Sequence, residues 1–142
     1  MLETHDGTWV VKKWAEARGI DHVSIDTNGQ DGALTLDLTK PILDLTPADI
    51  VTNFGTSEHV GPDGQEECFA NIARLCTVRG LILHAIPLHG HWKGHSDVTY
   101  TEDFFDGVSS KDGMVMHTLA SWIDTGCGPE KHQICAIVRR TQ

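Results

Sequence analysis

The chain has 142 residues, 39% of them hydrophobic and 22% charged, which suits one domain with a real core. Twenty acids against eleven bases give a formal net charge of -9, and the bases are spread along the chain. That balance argues against a nucleic-acid partner, whose phosphates call for clustered Lys and Arg. No apolar run reaches the roughly 18 residues that a membrane helix needs, so no membrane partner is expected. The opening MLETHDGTW carries no basic stretch leading into an apolar one, and no secretory leader is read there. Cys68, Cys76, Cys127 and Cys135 fit neither a zinc motif nor a disulfide framework. Three of them sit in apolar patterns, which suggests reduced core thiols in a cytoplasmic protein.

Thr8 can cap a first helix, in which Val10, Trp14 and Ala17 recur at helical spacing before Gly19 stops it. His22 to Asp26 reads as a short strand ending in an acid. Turn signals at Asn28-Gly29 and Asp31-Gly32 separate it from alternating Leu34, Leu36 and Leu38, a second strand. Pro41 and Pro47 bracket a loop. Residues 49–54 read as a buried strand, followed by a helix through Glu66, Phe69, Ile72 and Leu75 that closes near Gly80. An apolar strand covers 81–87, and a loop rich in Gly and His covers 88–100. A short helix capped by Thr101 is expected over 101–108. Two last strands, 114–122 and 132–139, flank the turn at Gly126-Cys127-Gly128-Pro129. Nothing repeats and no linker is visible, so residues 1–142 are read as one domain. The order predicts an α/β fold, a mostly parallel sheet flanked by helices that closes on a C-terminal antiparallel hairpin. Ligands in such sheets sit at the carboxyl ends of strands, which singles out Asp26, Asn53 and the loop after Pro87.

Four stretches together resemble class I S-adenosylmethionine (SAM) methyltransferases. They are His5-Asp6-Gly7-Thr8-Trp9 entering a helix, Val23-Ser24-Ile25-Asp26, residues 49–60, and Arg79 through Pro87. The likeness covers nearly the whole chain. It implies a Rossmann-like fold, SAM as cofactor, and methyl transfer to a small-molecule or sugar-like acceptor. Asp6 and Gly7 would be the rear half of the family's glycine-rich loop. Asp26 would hold the ribose hydroxyls, since a carboxylate can accept two hydrogen bonds from a diol. Asp37-Leu38 resembles the acid-apolar pair that touches adenine, and Asn53-Phe54 falls in the fourth-strand motif.

The departures are specific. Residues 1 to 4 are too few for a complete first strand, and Gly7 alone remains of the glycine loop. The connection from Asp26 to Leu34 is shorter than the dozen or more residues a parallel crossover needs. The expectation is a family member with its first strand largely missing. Its strand edges would be open to another chain, a homo-oligomer included.

Methyl transfer is an in-line displacement, so the protein must position the two partners and take a proton from an oxygen or nitrogen acceptor. His59 follows the fourth-strand motif and is the candidate base, because imidazole exchanges protons near neutrality. A histidine at a helix start can equally serve a structural hydrogen bond. Glu58-His59 also resembles the end of the Glu-x-x-Glu-His motif of ubiquinone-type O-methyltransferases, where a divalent metal assists. The first Glu of that motif falls on Gly55, and no metal ligand is assigned. His84, His89, His91 and His95 form a second constellation, open to three readings: metal binding, a substrate-lining loop, or a solvated loop. Asp26 has a structural alternative too, as the cap of the Asn28-Gly29 turn. Two other readings compete with the enzyme: a non-catalytic remnant of the same fold acting as an interaction module, and a metal-binding protein built on the histidine loop.

Overall fold

The computed structural model describes residues 11–142, which fall into two compact units that divide after Asp37. In the first, α1 spans Val11–Glu16 and buries Ala15. The Arg18 guanidinium lies 4.5 Å over the Trp14 ring and donates to the Trp14 carbonyl at 3.1 Å. Gly19 then leaves the helix at φ 67°. The two expected strands reduce to one parallel bridge, Ile25 to Leu34. It is held by Asp26 N–H to the Leu34 carbonyl and Leu34 N–H to the Ser24 carbonyl.

The second unit is a five-stranded sheet. Its strands are β1 (Ala48–Phe54), β2 (Cys76–Pro87), β3 (Val108–Lys111), β4 (Met114–Asp124) and β5 (Gln133–Arg140), in the order β1-β2-β5-β4-β3. Only β1 and β2 run parallel, with α2 (Gln65–Arg74) between them in the chain; the other three pairs are antiparallel. The β3–β4 hairpin turns at Asp112-Gly113, both at positive φ, a conformation that this residue pair adopts readily.

Alternation decides the layers. Ile82, His84 and Ile86 of β2 and Ile134, Ala136 and Val138 of β5 are buried on one face, under Cys68, Ile72 and Ala73 of α2. Leu88, Tyr100, Phe105, Met114 and Met116 complete that core. On the other face, the register puts Phe54, Ala85, Cys135 and Trp122 in one cross-strand row. Phe54 is 58% and Trp122 49% exposed.

This is not the Rossmann-like, mostly parallel, helix-flanked sheet that the sequence predicted. The unit is strand-dominated and mostly antiparallel, with a single helix longer than one turn. Three local outcomes produce the difference. The 22–26 and 34–38 segments are joined too closely to form a crossover and make only the one bridge. The expected helix at 101–108 is a run of turns that leads into β3. β2 begins at Cys76, five residues before the expected start, so it outgrows its helical connection. The expected missing first strand, and Asp6 and Gly7, fall outside the described residues. Among the described residues, no helix is long and apolar enough to cross a membrane.

Candidate functional site

The chain leaves β1 through Gly55, at φ 68°, and makes a single helical turn over Ser57–His59. A buried polar network fixes that turn. The Ser57 amide donates to Asn53 Oδ1 at 3.1 Å, and Asn53 Nδ2 donates to Ser57 Oγ at 2.8 Å. Gln65 Nε2 donates to the carbonyls of Ser57 and Val60. The Tyr100 phenol oxygen lies 3.0 Å from Ser57 Oγ and 2.8 Å from Gln65 Oε1. Burial pushes the Tyr100 hydroxyl up to about 12, against the pull of the Ser57 contact, so it stays protonated and can donate.

The turn divides its side chains. Glu58 points inward and is 2% exposed, while His59 faces outward. The Glu58 carbonyl accepts the amides of Asp97 and Val98, both at 3.0 Å, which anchors the loop after β2 beside it. His95 comes with that loop. Its ring meets His59 edge-on at 5.1 Å and packs against Trp92 at 5.2 Å. One carboxylate oxygen of Glu58 and one ring nitrogen of each histidine lie within 4.8 Å of one another. Glu58 Oε2 is buried without a hydrogen-bond partner. Beside the cluster, a groove of about 450 Å³ is lined by His91, Trp92, Lys93, His95, Glu130 and Lys131.

The other three histidines of the expected constellation do other things. His84 is buried on β2 between Phe69 and Phe105, with Asn53 Nδ2 3.1 Å from Nδ1. Burial pushes its imidazole down to about 4, so it is neutral at physiological pH. His89 is exposed and bonded to Thr99 through Nδ1. His91 stacks on His132, ring centroids 4.1 Å apart. Of the four, only His95 joins the group with Glu58 and His59.

The expected cofactor residues are scattered. Asp26 is exposed in the first unit, and its Oδ1 accepts the Asn28 amide at 2.9 Å, the turn-capping role that was its structural alternative. It also lines a cavity of about 300 Å³ with Val11, Lys12, Ser24, Gln30 and Asp31, among others. Asp37 is exposed at the end of that unit, and Leu38 opens the next and packs against its core. Asn53 spends its amide on Ser57 and His84, and Phe54 lies exposed on the sheet face away from α2. Sequence reasoning passed over Tyr100 and Gln65, whose polar ends meet inside the fold with no local pattern to mark them. No protein-family model matches the chain, and no curated protein matches it in sequence.

Proposed function

We propose that the chain serves SAM-dependent methyl transfer to a small-molecule acceptor, with His59 as the group that takes the acceptor's proton. The observation that carries this reading is the placement of two of the four stretches behind the resemblance. Residues 49–54 and 81–85 run side by side as the parallel pair β1–β2, Ile50 opposite Leu81 and Phe54 opposite Ala85. Both segments leave that pair at its carboxyl end, toward Glu58, His59 and His95. The reading rests on this pair alone and needs no helix-flanked parallel sheet.

The donor set fits the cofactor in part. Asp26 is an exposed carboxylate that lines a cavity of the first unit, suited to a ribose diol. Asn53 is unsuited, because its amide is already consumed inside the fold. Bound SAM supplies a methyl group activated by its sulfonium. The chain's part is to hold the acceptor in line and receive its proton: the groove lined by His95 can hold it, and the exposed His59 imidazole, 5.1 Å from His95 ring to ring, can take the proton. Calorimetry with SAM and with S-adenosylhomocysteine tests the reading, with Asp26→Ala as control. Micromolar binding that the variant loses is expected. A folded chain that binds neither compound overturns it.

A further inference from the structure

The geometry points to a divalent transition-metal site formed by Glu58, His59 and His95, with coordination positions left open toward the groove beside His95. This is not the arrangement that the Glu-x-x-Glu-His resemblance implied, because Gly55 stands at the first acid and the third donor arrives from a different loop.

Three observations carry the inference. The first is the donor set itself, one carboxylate and two imidazoles, with candidate atoms within 4.8 Å of one another. Donors around a zinc-sized ion at about 2.0–2.2 Å sit about 3 to 3.5 Å apart, so closure needs about an ångström of movement. His59 and His95 are exposed and have room for it. The second is the orphaned Glu58 Oε2. Buried carboxylate oxygens are costly unless paired or coordinated, and no Lys or Arg forms an ion pair with Glu58 among the described residues. The third is anchorage. Both amides that follow Ser96, those of Asp97 and Val98, bond the Glu58 carbonyl, so the loop carrying His95 is tied to the residue that carries the acid. A site assembled from distant segments is thereby held by backbone bonds rather than by chance proximity.

Imidazole with one carboxylate suits zinc, iron, cobalt or nickel better than calcium or magnesium, which prefer oxygen donors throughout. Three protein donors leave room for water or an oxygen of a bound molecule. The groove lies on that side, since His95 lines it together with Lys93 and Lys131. The ion needs none of the proposed cofactor residues, but it competes with the proposed methyl transfer for His59, because an imidazole lone pair given to the ion cannot also take the acceptor's proton.

The test uses the untagged full chain, stripped by chelator and titrated with Zn²⁺ in a calorimeter and with Co²⁺ by visible absorption. One equivalent is expected, at micromolar affinity or tighter. His95→Ala and His59→Ala should each weaken it at least tenfold, with loss of the cobalt spectrum. His89→Ala, outside the cluster, should leave it unchanged. Glu58→Gln should abolish it, and His95→Ala on the exposed loop decides the matter should that buried variant fail to fold. No binding by the wild-type chain overturns the site, and so does a His89→Ala loss equal to that of His95→Ala. The metal titration is read without SAM, so a failure of SAM binding leaves its outcome untouched.

Discussion

Asn53 and His84 face each other across the parallel strands β1 and β2, Nδ2 to Nδ1 at 3.1 Å, and the direction of their bond is determined. The Ser57 amide can only donate, so it marks the Asn53 oxygen, and the remaining Asn53 nitrogen must donate to His84. His84 Nδ1 is therefore an acceptor and carries no proton. Protonating it would set two donors against each other between the Phe69 and Phe105 rings.

Stability should consequently fall with acid. The folded-state pKa of His84 is lowered from 6.5 to about 4, so the unfolded chain binds the extra proton between those values. The contribution is intact above pH 6.5 and is lost as pH falls toward 4, by about 3 kcal/mol in all. Urea unfolding at pH 7, 5.5 and 4.5 measures it. His84→Asn should flatten that part of the profile, and a variant that loses stability in parallel with the wild type would remove His84 as the cause.

Asn71 is the second buried amide with a determined role. From the middle of α2 its Nδ2 donates to the Leu38 and Lys40 carbonyls, and its Oδ1 accepts the Ile42 amide at 2.9 Å. Asn71→Ala strips those partners together and should cost about 2 to 4 kcal/mol. Asn71→Asp should cost more, because an acceptor then faces two carbonyls. Chemical denaturation midpoints rank the two. Equal stability of the aspartate variant and the wild type would contradict the assigned bonding.

α2, the apolar part of β2 and β5 were readable because burial imposes a period, and their alternation or helical spacing is in the sequence. β1, expected as a buried strand, is instead the sheet's edge, buried at Asn53 and half-buried at Val51 but exposed along the rest. Strand direction is not encoded that way, and the sheet came out mostly antiparallel. The start of β2, Cys76 to Gly80, was missed because Thr77, Arg79 and Gly80 break the apolar run at a sheet margin. β3 was missed because Thr101 and the acids after it imitate a helix start, although Asp112-Gly113 is a strong hairpin signal. At the site, Glu58-His59 was visible as an adjacent pair after a strand. His95 was visible only as one of four histidines, and what selects it is a pair of backbone bonds between loops far apart in sequence.

The thiols should sort by burial. All four cysteines are free; Cys127 is exposed, Cys68 and Cys76 are fully buried, and Cys135 lies between. Burial, helped by the charge of Glu58, pushes the Cys68 thiol up to about 11, which removes the reactive thiolate at neutral pH. Iodoacetamide under native conditions should therefore modify Cys127 first and Cys68 among the last, while urea exposes all four. Peptide mass mapping over time follows the order, and Cys68 labelled as fast as Cys127 would contradict the packing of α2 on the sheet.

Gly80 of β2 leaves no room for a side chain. A methyl group there would lie 2.7 Å from Cys76 Sγ and 2.9 Å from the carbonyl oxygens of Asp49 and Thr77. Two of those three atoms are backbone, and they sit where the β1–β2 register shifts between Ala48 and Ile50. The Asp49 oxygen belongs to β1 and the other two atoms to β2 itself, so relief would have to distort β2 as well as shift it against β1, and Gly80→Ala should cost about 1 to 3 kcal/mol. Gly61 provides the control, since its φ is an ordinary -56° and nothing lies within 4 Å of a methyl group there. Gly61→Ala should be neutral or gain a few tenths of a kcal/mol by restricting the unfolded chain. Thermal unfolding of the two variants side by side separates the steric effect from the general effect of removing a glycine. Equal shifts would mean that the strands do not approach as closely at Gly80 as the structure has them.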